Sequence, residues 1–488
     1  MLFNSYEFIL FFPIVTVIFF LLPPRMRCFW MLISSYYFYM FWNPKYIILM
    51  LFATVTSYGC AIMMQYNKKL FLIIGVILNL LLLFGFKYFN FFVKNINSML
   101  FMVNLEDSIS LINVVLPVGI SFYVFQVIGY MIDIYKGECD VEKNFIRYAL
   151  FVSFWPQLVA GPIERSGNLM RGFKRIESGE TRFDYKRVTD GLIIILWGFF
   201  MKIVIADRIA IFVNNVFGNY QSLSGVVLFM GALGFAVEIY CDFAGYSMIA
   251  IGTARVYGIK LMENFSTPYF SMNITEFWRR WHISLSTWFR DYVYFPLGGN
   301  RCSMRRNSLN ILVTFLLSGL WHGAAWHYVA WGGIHGVAQI LDKRAKRLKI
   351  LFTNKVNVEC MSFKLFQIVI TNFIVVVAWI FFRADSFRMA ISYIKCMFGN
   401  LSIKDIFDKN IYMLGLDYKE WSILRIALFI LILVDLAHYK KRMCIDEYLN
   451  EQNLGFKWMA CIFMLCFVLI FGEYGPGSVG EAFLYFQF

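Results

Sequence analysis

The chain has 488 residues, of which 60% are hydrophobic and only 16% are charged. These proportions exclude an ordinary soluble globular protein and are typical of polytopic membrane proteins. The formal net charge of +14 comes from short basic clusters of the kind that mark cytoplasmic loops, so it implies no nucleic-acid partner.

A series of apolar runs predicts the membrane-embedded elements. Several are shorter than the roughly 20 residues that a straight span needs, and short helices are tolerated where they end in protein or line a cavity. We therefore expect an all-α polytopic membrane protein with about 11–12 transmembrane or re-entrant helices. The runs lie at 8–22, 46–64, 70–86, 111–131, 149–160, 191–205, 226–240, 311–336, 365–382, 426–434 and 458–471.

The organisation is predicted to be simple. No lysine or arginine precedes the first run, and Pro23-Pro24-Arg25 follows it in place of a small-residue cleavage site, so we expect a retained span. The polar stretches between runs are short enough to be loops, which predicts a single integral-membrane domain over residues 1–488. The ten cysteines include no C-x-x-C pair and are interpreted as small core residues.

Two acids fall inside an apolar run. Glu238 and Asp242 are four residues apart, so they share one face of the predicted helix. Acids within a span are usually functional or paired. A proton path is one interpretation, and a salt bridge to an arginine such as Arg255 or Arg279 is the one that we prefer.

The segment 275–294 combines tryptophan with arginine. A helix is predicted to start near Asn273, with Glu276 placed to close a capping-box-like N-terminus. The pattern suits a helix lying at the membrane interface. His282 lies among the aromatics, where it would either orient an acyl donor or a second imidazole, or serve as a hydrogen-bonded structural histidine. The residues on the apolar side are Trp278, Trp281, Leu285 and Trp288.

The most informative stretch is 307–341, which has no charged side chain and is flanked by basic clusters. If both flanks are cytoplasmic, the chain must enter the membrane and return, with its turn near His322–Trp326. That places His322 deep in the membrane, beside the small residues Gly323–Ala325 that permit close approach. A buried neutral imidazole there could take the proton of an attacking hydroxyl, so His322 is the first candidate for catalysis.

Two further histidines lie in the same stretch. His322, His327 and His335 are spaced by five and eight residues and do not share a helical face, and no Asp, Glu or Cys joins them before Asp342. A metal site is therefore not expected. His335 is interpreted as a packing or hydrogen-bonding residue in the wall of a cavity.

Taken together, the motifs resemble the membrane-bound O-acyltransferase superfamily, most strongly its bacterial branch of alginate O-acetylases and peptidoglycan O-acetyltransferases. The resemblance is carried by WRRWHISLSTWFRDYVYFPLGG at 278–299, LWHG at 320–323 and WGGIHG at 331–336. It extends to the segments 151–165, 240–247, 381–387 and the terminal 483–488. The core of the motif region covers about residues 150–340.

This resemblance implies an all-helical fold in which a funnel or tunnel meets a cytoplasmic opening at His322, with His282 as the second characteristic histidine. It implies transfer of an acetyl group from a cytoplasmic donor, expected to be acetyl-CoA, to an extracytoplasmic polysaccharide. An extracytoplasmic acetyltransferase partner and the bacterial inner membrane are also implied, and no bound cofactor is expected. Further tunnel or structural candidates are Trp278, Arg279, Asp291, Trp321, Asp242 and Glu238.

Two alternatives stay open. Met248 stands where alginate-type members often carry an aspartate, which makes this segment more similar to teichoic-acid D-alanyltransferases that take their acyl group from a carrier protein. The PLGGN of 296–300 is typical of the O-acetylase branch and favours that reading. A proton-coupled transporter with His322, Glu238 and Asp242 as a relay is the alternative from another class, but the chain shows no paired repeats. Direct transfer and an acyl-histidine relay are not separated.

Overall fold

The computed structural model describes residues 1–104, 109–112, 115–158, 161–352, 360–399, 401–402, 411–412 and 414–474, with the side chains of 346–352 left aside. Within these ranges the regular structure is α-helix with a few short 3-10 and π segments, and no β-strand occurs in them. The predicted all-α class is confirmed. The motif at 483–488 lies outside the described residues, as do positions 159–160 of the motif at 151–165.

The helices of the described residues are numbered here in chain order. They are α1 Tyr6–Leu21, α2 Pro24–Met40, α3 Ile47–Met63, α4 Lys68–Leu83, α5 Phe89–Met102, α6 Ile120–Lys136, α7 Phe145–Ser153, α8 Trp155–Leu158, α9 Ser166–Glu177, α10 Tyr185–Phe199, α11 Asp207–Gly218, α12 Gly225–Val256, α13 Ile274–Arg280, α14 Ile283–Phe289, α15 Met304–His322, α16 Trp326–Phe352, α17 Met361–Arg383, α18 Phe387–Gly399, α19 Tyr418–Lys441, α20 Ile445–Asn450 and α21 Leu454–Phe471. Short π segments follow α4, α10 and α14.

Among the described residues, 7 helical stretches are long and apolar enough to cross a membrane, so the chain is a polytopic membrane protein. They are Pro44–Met63, Lys68–Met102, Tyr185–Gly218, Gly225–Val256, Met361–Arg383, Tyr418–Lys441 and Leu454–Phe471. In the described part of the runs predicted at 111–131 and 149–160, no helix reaches that length, because α6 begins at Ile120 and α7 ends at Ser153. The predicted total of about 11–12 crossings included short and re-entrant segments and stays a prediction.

Local sequence signals set several helix starts. Asn67, Asn144 and Asn453 each place a side-chain oxygen on a backbone N–H of the first turn of α4, α7 and α21. Ser303 and Asp417 do the same for α15 and α19. Such caps satisfy donors that a helix cannot pair internally, and each typically contributes about 1 kcal/mol.

The described residues group into two compact units, and the prediction of one domain over 1–488 stays a prediction. The first unit comprises Met1–Leu192 and Ala250–Met262. In it α4 packs against α3 and α6, and α2 packs against α7 and α9. Its aromatic core centres on the fully buried Trp155, whose ring meets those of Phe11 and Phe38 at centroid distances of 5.1 and 5.5 Å.

One acid in the first unit is buried and accepts hydrogen bonds from uncharged donors. Glu164 follows α8 and is 2% exposed. Its carboxylate accepts hydrogen bonds from Asn168 Nδ2 at 2.8 Å and from the backbone N–H of Met262. Burial dominates over these bonds and raises the pKa of Glu164 from 4.5 to about 7.

We therefore expect the first unit to lose stability as the pH rises from about 4.5 to about 7. The raised pKa means that the folded state holds the proton of Glu164 more tightly than the unfolded state, so deprotonation favours unfolding, by a free energy of order 3 kcal/mol. Melting of the purified protein should show this slope, and Glu164→Gln should flatten it. An equal slope in wild type and Glu164→Gln would contradict the assignment.

The second unit comprises Ile193–Ile249 and Glu263–Phe488 and contains the predicted helical hairpin. Helices α15 and α16 form its two limbs, and the turn occupies Gly323–Ala325, as predicted. Their backbones touch: a Cβ added at Gly319 would lie 2.2 Å from the Tyr328 carbonyl oxygen, and one at Gly332 would lie 2.2 Å from that of Phe315. Small residues at helix crossings allow this close approach. Helices α13 and α17 pack against α16.

Candidate active site

The predicted helix after Asn273 starts as expected and then breaks at His282. Asn273 Oδ1 accepts from the N–H of Glu276 at 2.9 Å, and the Glu276 carboxylate accepts from the N–H of Met272 at 3.0 Å. The prediction of one continuous helix is wrong, however. Trp281 is extended (φ −108°, ψ 129°) and His282 is left-handed (φ 42°, ψ 54°), which divides the segment into α13 and α14. A non-glycine residue keeps such a conformation only where its surroundings enforce it.

The tryptophans of this segment are buried within the protein. Trp278, Trp281 and Trp288 are all buried. Trp281 stacks on Phe277 with centroids 5.5 Å apart and packs edge-on to Phe265 at 4.9 Å. These ring contacts and this burial place the tryptophans in the interior of the second unit.

The break brings His282 next to His322. The two imidazole rings are 40 positions apart in sequence, yet their centroids lie 6.2 Å apart with an angle of 55° between the planes. Both are buried, with exposed fractions of 0% and 4%. His322 is the last residue of α15, directly before the turn of the hairpin. Sequence reasoning predicted both residues, and the structure places them together.

Aromatic rings surround the pair. His322 packs edge-on to Trp331 at 4.9 Å and to Phe382 at 5.3 Å, and Trp321 lies 5.0 Å from it and 6.0 Å from His282. The ring of Phe243 meets His282 edge-on at 4.5 Å. Packed rings of this kind restrict the rotation of each imidazole.

His282 is kept neutral by its surroundings. Burial lowers the pKa of its imidazole from 6.5 to about 3. At physiological pH the ring is therefore uncharged, and it can donate one hydrogen bond and accept another. A neutral ring at this position suits the orientation of a polar substrate atom better than the stabilisation of a negative charge.

The other two histidines of the hairpin have structural contacts. His335 is fully buried, and its Nδ1 accepts from Trp278 Nε1 at 3.3 Å, which agrees with the packing role predicted for it. His327 Nδ1 lies 3.0 Å from the carbonyl oxygen of Phe381. Among the described residues no group of three or more His, Cys, Asp or Glu side chains is arranged to hold a metal ion.

Two of the residues predicted as tunnel or structural candidates are more exposed than the two histidines. Arg279 is exposed on α13. Asp291 lies in the π segment after α14, where its carboxylate pairs with Arg290 at 2.7 Å. Trp278 and Trp321 are both buried. Trp321 contacts His282 and His322, whereas Trp278 packs against Trp331 and His335.

The acids of α12 are paired differently from the prediction. Asp242 pairs with Lys202, whose Nζ lies 2.6 Å from both Asp242 Oδ1 and Asp207 Oδ1. Arg255 instead pairs with Asp190 at 3.2 Å. The predicted arginine partner is therefore wrong for Asp242. Glu238 is buried one turn earlier on α12. The signal for the true partner was present, since Lys202 is a lysine inside the predicted run 191–205.

Comparison with known proteins identifies relatives of this chain. The family model of the membrane-bound O-acyltransferase family matches residues 141–382, a range that includes both histidines. A probable alginate O-acetylase of Pseudomonas syringae pv. tomato is 38% identical over 404 residues, which is 80% of this chain and 74% of that protein. The peptidoglycan O-acetyltransferase of Helicobacter pylori is 35% identical over 436 residues, with 82% and 79% covered.

A more distant relative covers less of the chain. The teichoic acid D-alanyltransferase of Bacillus subtilis is 31% identical over 256 residues, which is 50% of this chain and 64% of that protein. All of these relatives are named as acyl-transferring enzymes, so the transporter hypothesis loses its support. Similarity of this extent shows that the chain belongs to the membrane-bound O-acyltransferase family and is a multi-pass membrane O-acyltransferase.

Proposed function

We propose that this protein moves an acetyl group from cytoplasmic acetyl-CoA to a hydroxyl of an extracytoplasmic polysaccharide, in the inner membrane of a bacterium. The observation that carries the proposal is the buried pair His282 and His322, with centroids 6.2 Å apart. The names of the relatives, an alginate O-acetylase and a peptidoglycan O-acetyltransferase, support acetyl as the group and a glycan as the class of acceptor.

His322 acts as the general base. Its imidazole takes the proton of the attacking hydroxyl as the oxygen bonds to the carbonyl carbon of the acetyl thioester, and the carbon–sulfur bond then breaks. The proton passes from His322 to the departing thiolate, which leaves as the free thiol of coenzyme A. General-base assistance of this kind typically contributes about 10²–10⁴-fold to the rate.

His282 holds the reacting group against His322. Because burial keeps its ring neutral, it can accept from the acceptor hydroxyl or donate to the thioester carbonyl without bringing in a charge. Orientation of two reactants within a closed site is a large source of rate, since a misplacement of about 1 Å can cost about 10²-fold.

A tunnel through the second unit would give the cytoplasmic donor access to His322, and an extracytoplasmic partner acetyltransferase would present the polysaccharide hydroxyl to the acetyl group at the other end of that tunnel. The similarity to a teichoic acid D-alanyltransferase keeps one second candidate, acyl transfer from a carrier protein. The two candidates differ in the donor, and they share the histidine pair.

The experiment is a measurement of ester-linked acetate on cell-envelope glycans and exported polysaccharide. Cells with the intact protein are compared with cells that lack it. We expect acetate to disappear from one glycan fraction in the deletion strain and to return on complementation, which also identifies the acceptor. Unchanged acetate in every fraction would contradict O-acetylation, and loss of ester-linked D-alanine instead would establish the carrier-dependent candidate.

A further inference from the structure

One buried asparagine connects three parts of the candidate site. Asn264 lies in the second unit between α12 and α13 and is 1% exposed. Its Oδ1 accepts from Ser284 Oγ at 2.6 Å and lies 3.4 Å from the Ser284 backbone nitrogen. Its Nδ2 donates to Ser247 Oγ at 2.7 Å, and its backbone carbonyl accepts from the N–H of Ile283 at 2.9 Å.

These bonds satisfy the beginning of α14. A helix cannot pair the N–H groups of its first turn internally, and the residue before the helix usually provides a side-chain oxygen for them. Here that residue is His282, whose side chain makes no capping bond. In its place the backbone carbonyl of Asn264 accepts from the N–H of Ile283, and the side-chain Oδ1 of Asn264 accepts from Ser284. The imidazole of His282 therefore lies against Phe243 and beside His322 instead of folding back on its own helix.

The same amide also sets the distance from α14 to α12. Ser247, to which Asn264 donates, lies one turn after Phe243 on α12. Phe243 is the ring that packs edge-on to His282 at 4.5 Å. The backbone that carries His282 and the ring that supports its imidazole are thus joined through one side chain.

We propose that Asn264 is a positioning residue for His282. It stabilises the left-handed turn at φ 42° from outside and keeps the imidazole facing His322. The proposal deepens the proposed function, because it rests on the role given there to His282, but the turn itself can be tested without any acyl transfer.

The first test measures transfer from radiolabelled acetyl-CoA in membrane vesicles. Asn264→Ala is expected to lower kcat by about 10²-fold, the cost of a misplacement of about 1 Å, with little change in KM for acetyl-CoA. In a His282→Gln background the same substitution should change the rate by less than about 3-fold, because residues that act through one group are not additive. Asn79→Ala is the matched control, since Asn79 is also fully buried but bonds only Gly75 of its own helix.

The second test follows the histidines directly. Diethyl pyrocarbonate modifies accessible imidazoles, and mass spectrometry reports each site separately. In Asn264→Ala, labelling of His282 should rise several-fold, while labelling of His335, which is equally buried in the same unit, should stay unchanged. Equal increases at His282 and His335 would show general loosening and overturn the proposal. So would unchanged labelling of His282.

The two tests distinguish a failure of the proposed function from a failure of the positioning role of Asn264. If no acetyl transfer is detected for any variant and labelling of His282 still rises selectively, the proposed function fails and the positioning role stands. If His282→Gln lowers transfer but Asn264→Ala changes neither transfer nor labelling, the proposed function stands and the positioning role is wrong.

Discussion

Replacement of His322 by alanine is expected to lower acetyl transfer by at least about 10²–10⁴-fold, because it removes the imidazole that acts as the general base. The protein should still fold and reach the membrane. His322 makes ring contacts with Trp331 and Phe382, so alanine leaves a small cavity. His322→Gln keeps most of the volume without the basic ring nitrogen and should be equally inactive. The measurement is ester-linked acetate per cell at matched membrane abundance of each variant.

His438 provides the matched control. It is a half-buried histidine on α19 to which we assign no part in transfer, and His438→Ala should retain acetate within about 3-fold of wild type. Retained acetate in His322→Ala, at the abundance of the control, would rule out His322 as the base. Detection of an acetylated His322 peptide after acid quenching would instead favour a covalent relay over direct transfer.

Replacement of Lys202 by methionine is expected to be the most destabilising single change in the second unit. Lys202 is 1% exposed and lies 2.6 Å from a carboxylate oxygen of both Asp207 and Asp242. Without the ammonium, the two buried carboxylates lose the positive charge that lies between them. Removing one partner of a buried ion pair typically costs about 3–5 kcal/mol. Thermal unfolding of the purified protein in detergent should show a clear fall in apparent melting temperature, together with a lower yield.

Compensating substitutions test whether buried charge causes the loss of stability in Lys202→Met. Lys202→Met combined with Asp207→Asn and Asp242→Asn removes all three charges, and we expect it to recover most of the lost stability, since an uncharged set of similar volume has no charge left to desolvate. If the triple variant is no more stable than Lys202→Met alone, the cost is one of packing against Tyr246, whose ring centroid lies 5.5 Å from Lys202 Nζ. Transfer activity in the triple variant would show that the charges are structural.

The fold class was predictable because composition and hydropathy are properties of the sequence alone. Apolar runs indicate helices in a bilayer, where every backbone polar group must be paired within the segment. The hairpin of α15 and α16 was also predictable, since an uncharged stretch between two basic clusters is expected to enter and return if both clusters are cytoplasmic, and its turn lies at Gly323–Ala325 as expected. Helix boundaries inside the apolar runs were less predictable, and α7 ends at Ser153 within a run that continued.

The sequence predicted the residues of the site, but it did not predict the contacts and the backbone turn that hold them in place. His282 and His322 were found from unusual polar residues in aromatic, apolar surroundings and from the resemblance to a family. The partner of Asp242 was assigned to an arginine and is Lys202, because which of several cations meets a buried acid depends on how α12 packs beside the π segment after α10. The helix break at His282 was missed, because the aromatic spacing of 278–288 fits one helix.

By itself, the sequence determined that this chain is an all-helical membrane protein, that a hairpin carries His322 at its turn, and which family it resembles. These properties follow from local pattern: hydropathy, flanking charge and motif spacing. Only the tertiary structure decided that His282 adopts a left-handed turn, that Asn264 satisfies the helix beginning after it, and that two imidazoles 40 positions apart lie 6.2 Å from each other. The physical reason is that buried polar groups take the partners that packing brings to them, and those partners are distant in the chain.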